Sequence, residues 1–282
     1  MFRRYMAVLA IMTVLAVILA GCGGNSSSGT GGGGGGGSII GTWQVASATK
    51  DGASDTVNDA LGNPPGTTAS TVTFGSDGNF LATNWGAGNT VVDQQSGTWS
   101  ASGNALMCQR TQPDVETWPT MTYSVNGPGT QATLSFTGPS GSPNAGHTIA
   151  FTCNKVTTAG AGLDANLVGI WQAKATDSAT LGGQPSTVSV VTGMDPGETA
   201  LTIMLAADGG YLLIDYSGTT QINVESGTWT AVNGTLTQNR INPNSRTRAV
   251  TYFVISSISV RIIIPNVNDT GLDGVFTVNK IG

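Results

Sequence analysis

The sequence SGTW at residues 96–99 returns unchanged at residues 226–229 in a chain of 282 residues. Short matches surround both copies, in the same order and at a separation of about 130 residues. An ordered series of matches at nearly constant spacing indicates an internal repeat. The matches are GTWQ at 41–44 with GIWQ at 169–172, DGNF at 77–80 with DGGY at 208–211, MTY at 121–123 with VTY at 250–252, and FTCNKV at 151–156 with FTVNKI at 276–281.

Each copy contains short apolar runs separated by tight-turn signals, for example at residues 207–209 and 232–234. No sustained period of 3.6 residues follows residue 38, so long helices are not predicted there. Consecutive strands joined by short turns form an antiparallel meander, and closing the meander into a barrel removes its exposed edges. The sequence therefore predicts an all-β protein with two tandem antiparallel up-and-down β-barrels of about eight strands each.

The order of motifs resembles that of bacterial lipocalin-like domains. It comprises a Gly-x-Trp on the first strand, an aromatic residue after an Asp-Gly turn, a central Gly-Thr-Trp and a lysine near the end of the last strand. The resemblance covers residues 39–282 and implies that Trp43 and Trp171 close one end of each barrel. Lys155 and Lys280 would then cover the two indoles through cation–π contacts. The alternative is a β-sandwich in which both tryptophans are ordinary core residues.

The N-terminus has the layout of an export signal. Two arginines at residues 3 and 4 precede an apolar run at 5–20, which is shorter than the roughly 20 residues that cross a bilayer core. The run ends in Leu-Ala-Gly-Cys at 19–22, which resembles a bacterial lipobox. This resemblance implies a lipoprotein signal peptide at residues 1–21, in a signal helix, and a lipid attached to Cys22. The alternative is an ordinary signal peptide with an incidental Cys22.

The predicted mature chain has four parts. Residues 22–38 comprise the lipidated cysteine and a flexible Gly-rich tether, with seven consecutive glycines at 31–37. Barrel 1 is predicted at 39–157, a linker at 158–165 and barrel 2 at 166–282. Gly23 after the cysteine resembles the pattern of lipoproteins exported to the outer membrane, so we expect lipid anchoring in the bacterial cell envelope, at the outer membrane.

Two cysteines remain once Cys22 is assigned to the lipid. Cys108 and Cys153 are both absent from the second copy, where Gln238 and Val278 take their places. Paired absence in an exported protein predicts a disulfide between them. The alternative is two unpaired buried thiols.

The composition provides little material for catalysis. The only histidine, His147, lies in a loop rich in Gly, Pro and Ser, and Asp77 and Asp208 precede glycines in predicted turns. A hydrolase would need a cleft that joins carboxylates to His147. We therefore expect no enzymatic activity, no metal and no cofactor. The net charge of −5 and the absence of a basic cluster in the body of the chain argue against a nucleic-acid partner.

Two functions follow from a barrel of this size. Either a barrel binds a small apolar ligand or lipid, which requires a cavity of at least about 300 Å³, or both barrels are filled and the protein docks another envelope component as a structural or interaction lipoprotein. Trp118 lies in a predicted loop, and it either forms part of a binding surface or folds back to anchor that loop.

Overall fold

The computed structural model describes residues 37–281, apart from the side chain of Asn268. The predicted signal peptide, Cys22 and most of the tether lie outside the described residues. None of the helices in the described part of the chain is long and apolar enough to cross a membrane.

Barrel 1 contains eight antiparallel strands in the ring order β1-β3-β4-β5-β6-β8-β9-β10, closed by pairing of β10 with β1. Two short strands lie outside the ring, since β2 pairs with β1 and β7 pairs with β6. The elements are β1 (Gly41–Lys50), β2 (Ala53–Asp55), α1 (Val57–Leu61), β3 (Ala69–Phe74), β4 (Asn79–Trp85), a 3₁₀ turn (Ala87–Asn89), β5 (Val91–Ser102), β6 (Ala105–Gln112), β7 (Glu116–Thr117), β8 (Met121–Val125), β9 (Gln131–Thr137) and β10 (Thr148–Lys155).

Barrel 2 repeats this ring as β11-β14-β15-β16-β17-β18-β19-β20, closed by pairing of β20 with β11. The elements are a 3₁₀ turn (Ala165–Leu167), β11 (Gly169–Lys174), β12 (Ser178–Leu181), β13 (Gln184–Thr187), α2 (Val188–Thr192), β14 (Ala200–Leu205), β15 (Gly210–Ser217), β16 (Thr220–Val232), β17 (Thr235–Asn242), β18 (Arg246–Ser256), β19 (Ser259–Ile264), a second 3₁₀ turn (Val267–Asp269) and β20 (Gly274–Lys280).

The two closed rings confirm the predicted all-β architecture and exclude the sandwich alternative, because a sandwich would leave two open sheets in each domain. Turn chemistry explains the tight connections. Asn233 and Gly234 both have positive φ, 52° and 76°, as a two-residue turn between right-twisted strands requires.

The first strand is built differently in the two barrels. In barrel 1, β1 runs along β10 from Trp43 to Lys50, with a register shift between Val45 and Ser47. In barrel 2, β11 pairs with β20 only at Trp171 and Gln172, and β12 pairs with the first three residues of β20. The barrel is therefore closed by one bulged strand, β1, in barrel 1 and by two separate strands, β11 and β12, in barrel 2.

The two barrels pack against each other through the outer faces of β3–β5 and β14–β16. Leu81 from barrel 1 is buried with Met204 and Leu212 from barrel 2. Polar contacts cross the same interface: Asn79 Nδ2 donates to the Tyr216 hydroxyl at 3.0 Å, and Gln94 Nε2 donates to a barrel 2 carbonyl, Gly227 O, at 3.0 Å.

The predicted linker at 158–165 also packs on barrel 2. The backbone N–H of Gly160 donates to Ala207 O at 3.1 Å, and the Tyr252 hydroxyl donates to Asp164 at 2.9 Å.

Candidate functional site

The Gly-x-Trp motif of barrel 1 lies at the start of β1. Trp43 is fully buried, and its indole N–H donates to Ile39 O at 2.6 Å. Lys155 Nζ lies 5.3 Å from the centroid of the same indole. This is the cation–π geometry that the resemblance implied.

Barrel 2 repeats the arrangement. The Trp171 indole donates to Leu167 O at 2.7 Å, and Lys280 Nζ lies 5.4 Å from the ring centroid while donating to Val168 O at 2.9 Å. The glycine of the motif is required because the lysine stem crosses it. A Cβ on Gly169 would lie 2.4 Å from the Cε of Lys280, and φ is +141° there.

The repeated SGTW motif is also part of the framework. Both tryptophans donate to turn carbonyls, Trp99 to Gly75 O at 2.9 Å and Trp229 to Ala206 O at 3.0 Å. A Cβ on Gly227 would approach the carbonyl oxygen of Asn239 to 2.1 Å, so the residue before Thr-Trp must be glycine. The motif that reveals the repeat thus stabilises the barrel wall.

Aromatic side chains occupy much of the interior of barrel 1. Trp118 packs against Phe80 with ring centroids 4.9 Å apart, and Phe136 packs against Phe151 at 6.0 Å. Trp118 therefore folds back into the barrel, which decides between the two alternatives that the sequence left open. It anchors its loop and fills space.

The core of barrel 2 lines a partly open cavity of about 700 Å³. Its apolar walls come from the core of the barrel, and its polar groups come from four strands and the segment that follows α2. The apolar lining includes Trp171, Ile203, Leu213, Leu236, Val260, Ile262, Phe276 and Val278; the polar lining includes Glu198, Asp215, Asn223, Glu225, Gln238, Arg246 and Arg248.

A difference at one matching position helps to explain why the interiors of the two barrels are occupied differently. Trp118 of barrel 1 bonds through its backbone to Cys108, and Arg248 of barrel 2 pairs with Gln238 at the matching place in the ladder. Arg248 does not fill the interior as the indole does. Its guanidinium turns to Glu225, with Nη2 2.6 and 2.7 Å from the two carboxylate oxygens.

Glu225 forms salt bridges with two arginines, Arg240 and Arg248. Arg240 Nη1 donates to the same Glu225 Oε1 that Arg248 contacts. A carboxylate bonded to two arginines is neutralised locally. The Glu225 cluster therefore contributes a fixed polar patch on one side of the cavity.

Glu198 and Asp215 differ from Glu225 because neither forms a salt bridge within the described residues. Glu198 is 9% exposed and accepts hydrogen bonds from Asn223 Nδ2 at 3.0 Å and from Asp195 N at 2.9 Å. Burial, followed by repulsion from Glu198 and Glu225, raises the pKa of Asp215 to about 6. Among the described residues, no lysine, arginine or histidine forms a salt bridge with Asp215 or Glu198.

Gln238 lies deeper in the cavity. The residue is 8% exposed and lines the cavity. Within the described part of the chain its side-chain amide has no hydrogen-bond partner. Because the residue lines the cavity, this amide can form a hydrogen bond with a bound molecule.

The structure corrects the predicted disulfide. Cys108 on β6 and Cys153 on β10 are free, buried thiols. Strands β8 and β9 separate β6 from β10, which places the cysteines three interstrand steps of about 4.8 Å apart along the wall. A disulfide requires Cα atoms within about 7 Å. Burial raises the pKa of both thiols to about 12.

The remaining predicted residues lie away from the cavity. His147 Nδ1 is 2.6 Å from Asp51 Oδ2 in an exposed loop of barrel 1. Asp77 and Asp208 accept backbone N–H groups two residues later, at 3.1 and 2.9 Å, as turn residues do. No group of three or more His, Cys, Asp or Glu residues that could hold a metal ion occurs in the described chain.

Sequence reasoning missed the polar residues of the cavity. Asp215 has the same strand parity as the inward-facing Tyr211 and Leu213, so alternation along β15 already placed a carboxylate on an interior face. That signal was available. The grouping of Asp215 with Glu198 and Glu225 was not, because the three residues come from separate segments.

Comparison with known proteins gives a family match and a similar solved structure. A family model described as a lipocalin-like domain matches residues 39–126, which run from the start of barrel 1 through β8. No curated protein matches the chain. Among solved structures, the chain is similar to a crystal structure from Nostoc punctiforme described as a protein of unknown function from the DUF3598 family, with 13% identity, 86% of this chain and 96% of that chain covered, and a TM-score of 0.23. Residues 39–126 therefore match a lipocalin-like domain, and the described chain forms two closed antiparallel β-barrels.

Proposed function

We propose that this protein is a non-enzymatic, envelope-anchored binding protein that holds one small molecule with an apolar body inside barrel 2. The cavity of about 700 Å³ is the observation that carries the proposal. Its volume lies within the range of about 300–1,000 Å³ typical of small-molecule sites. The lipocalin-like match over barrel 1 supports ligand binding as the general role of the fold.

The anchor in this proposal rests on the sequence around Cys22 and on the glycine-rich segment after it. In bacteria grown with a labelled fatty acid, the full chain should acquire label and sediment with membranes. Cys22→Ser should abolish both. Label retained by the Cys22→Ser variant would contradict attachment at this residue.

Binding is tested with a neutral fluorescent probe, N-phenyl-1-naphthylamine, which becomes brighter in apolar surroundings. We expect saturable binding of one probe per chain. Ile262→Trp places an indole in the cavity and should abolish binding, whereas Ile263→Trp, on the outward face of the same strand, should not.

Thermal unfolding of both variants shows whether each remains folded. Equal probe binding by the wild-type protein and Ile262→Trp would place the probe elsewhere and contradict the proposal. Absence of saturable binding by the wild-type protein would also contradict it.

A second candidate function is docking to another envelope component. The hairpin between β18 and β19 exposes Phe253, Ile255 and Ile258, which are 54%, 53% and 65% exposed. A photo-crosslinking residue at position 258 should form one discrete product in cells, and the same residue at the exposed position Ile222 should not. Equal products at both positions would count against docking.

A further inference from the structure

The cavity of barrel 2 has two chemically different regions. The lower walls are apolar, with residues such as Trp171, Leu236 and Val260 from the closed end. Carboxylates line another region, where Glu198 precedes β14, Asp215 lies near the end of β15 and Glu225 lies on β16. A bound molecule that fills the cavity would meet both regions.

Carboxylates outnumber arginines in the lining of the cavity, with Asp195, Glu198, Asp215, Glu225 and Asp269 against Arg246 and Arg248. Arg240 and Arg248 both bond to Glu225. Asp215 and Glu198 have hydrogen-bonding neighbours, and Arg248 lies near Asp215, but neither carboxylate forms a salt bridge within the described residues. A buried carboxylate is costly unless a cation or several hydrogen-bond donors compensate it. A positive group placed beside Asp215 would therefore be bound strongly.

The side-chain amide of Gln238 forms no hydrogen bond within the described residues, which leaves it available to a ligand group. It faces the same cavity and is more than nine-tenths buried. The amide both donates and accepts, so it can bond to a hydroxyl or amine of a ligand.

The other barrel supplies an internal comparison. At the places of Asp215, Glu225 and Glu198, barrel 1 has Asn84, Gln95 and Thr67, as the ladder partners and the following backbone bonds show. Barrel 1 keeps one carboxylate at this level, Asp93, which accepts a hydrogen bond from Gln95. At this level barrel 2 therefore has two more carboxylates than barrel 1.

We propose that the ligand of barrel 2 is a cationic amphiphile, an apolar chain or ring system that carries one protonated amine. The amine lies against Asp215 and Glu198, the apolar body enters the lower cavity, and Gln238 binds a polar atom near their junction. The inference rests on the proposed function, since it names the chemical class that the same cavity takes.

The proposal includes a pH dependence, because only an ionised Asp215 attracts an ammonium group. The groups that face Asp215 are Glu198 from the segment before β14, Asn223 and Glu225 from β16, and Arg248 from β18. Burial, together with repulsion from Glu198 and Glu225, raises the pKa of Asp215 to about 6, although the hydrogen bond from Asn223 and the charge of Arg248 act in the opposite direction. Affinity for an amine should be full above pH 7 and should fall as the pH drops through 6, where Asp215 gains a proton.

The test compares three 12-carbon probes that differ only in the head group: dodecylamine, dodecanol and dodecanoic acid. Each displaces N-phenyl-1-naphthylamine from the wild-type protein at pH 7.5, below its aggregation concentration. We expect the amine to bind about tenfold more tightly than the alcohol, as one charge-assisted hydrogen bond would produce, and the acid to bind most weakly.

Asp215→Asn copies barrel 1 and should reduce amine affinity about tenfold while leaving the alcohol unchanged. Glu198→Gln gives a second, independent variant should the first fail to fold. Asp114→Asn removes one exposed carboxylate from a loop of barrel 1 and should change neither probe.

The outcomes separate the inference from the proposed function. Tightest binding of the acid, or equal binding of amine and alcohol, overturns the cationic preference while ligand binding in barrel 2 stands. Failure of all three probes and of the fluorescent reporter overturns both. An amine preference that persists in Asp215→Asn and in Glu198→Gln also overturns the assigned site.

Discussion

Barrel 1 and barrel 2 share their closed ends and differ in their interiors. The cation–π pairs of the two barrels have nearly identical geometry, Trp43 with Lys155 and Trp171 with Lys280. At a matching interior position, however, Trp118 packs against Phe80 in barrel 1, whereas Arg248 forms a salt bridge with Glu225 in barrel 2. Strand pairing and the stacked pair of tryptophan and lysine (the cap) are common to both barrels and therefore define the fold. Residues farther from the cap are free to fill the interior or to leave it open.

The largest expected contrast concerns thiol reactivity. Cys108 in barrel 1 has a pKa raised to about 12 by burial, so at pH 8 its thiolate fraction is about a thousandfold below that of an ordinary cysteine. Gln238→Cys places a thiol at the matching position of barrel 2, where it faces the cavity. Iodoacetamide should modify Cys108 about a hundredfold or more slowly than the introduced cysteine, as followed by peptide mass mapping.

Denaturant should expose Cys108 and Cys153 together and remove this contrast. A native protein in which Cys108 resists alkylation even after unfolding, without reductant, would instead indicate a disulfide.

Removing the shared cap should destabilise the two barrels alike. Trp43→Ala and Trp171→Ala each delete a fully buried indole and should lower the free energy of unfolding by about 3–5 kcal/mol. Urea unfolding followed by circular dichroism measures the loss. A loss below about 1 kcal/mol in one barrel alone would show that the two caps are not equivalent.

The difference in filling can be reversed by one substitution. Trp118→Ala should open space beside Phe80 and cost about 2–4 kcal/mol of stability. The variant should bind a second molecule of N-phenyl-1-naphthylamine, raising the stoichiometry from one to two. An unchanged stoichiometry in a folded variant would show that Trp118 alone does not keep barrel 1 filled.

The smallest effect concerns the lysines. Lys155→Met and Lys280→Met keep much of the apolar stem but remove the charge over each indole. Each should cost about 1 kcal/mol in thermal or urea unfolding. We expect a somewhat larger loss for Lys280, because its ammonium group also donates to Val168 O. Equal losses would show that this hydrogen bond adds little.

Residues that act locally were predictable. The turn at Asn233 and the Gly-x-Trp motifs occupy the places expected of them, because turn geometry and strand alternation depend on neighbours in sequence. The predicted disulfide was wrong because it depends on residues that are far apart in sequence. Pairing of Cys108 with Cys153 depends on how many strands separate β6 from β10 in the ring. Two strands, β8 and β9, lie between them, and both cysteines are free.

The duplication, the all-β class, the turns and the pairs of tryptophan and lysine follow from the amino-acid sequence, since repeats and period-two patterns are properties of the chain. The tertiary structure alone decided which barrel is open, where Trp118 points and which carboxylates meet. Those outcomes depend on side chains from strands far apart in sequence that closure brings around one axis. Volume and charge inside a barrel are sums over all its strands, and no single segment contains them.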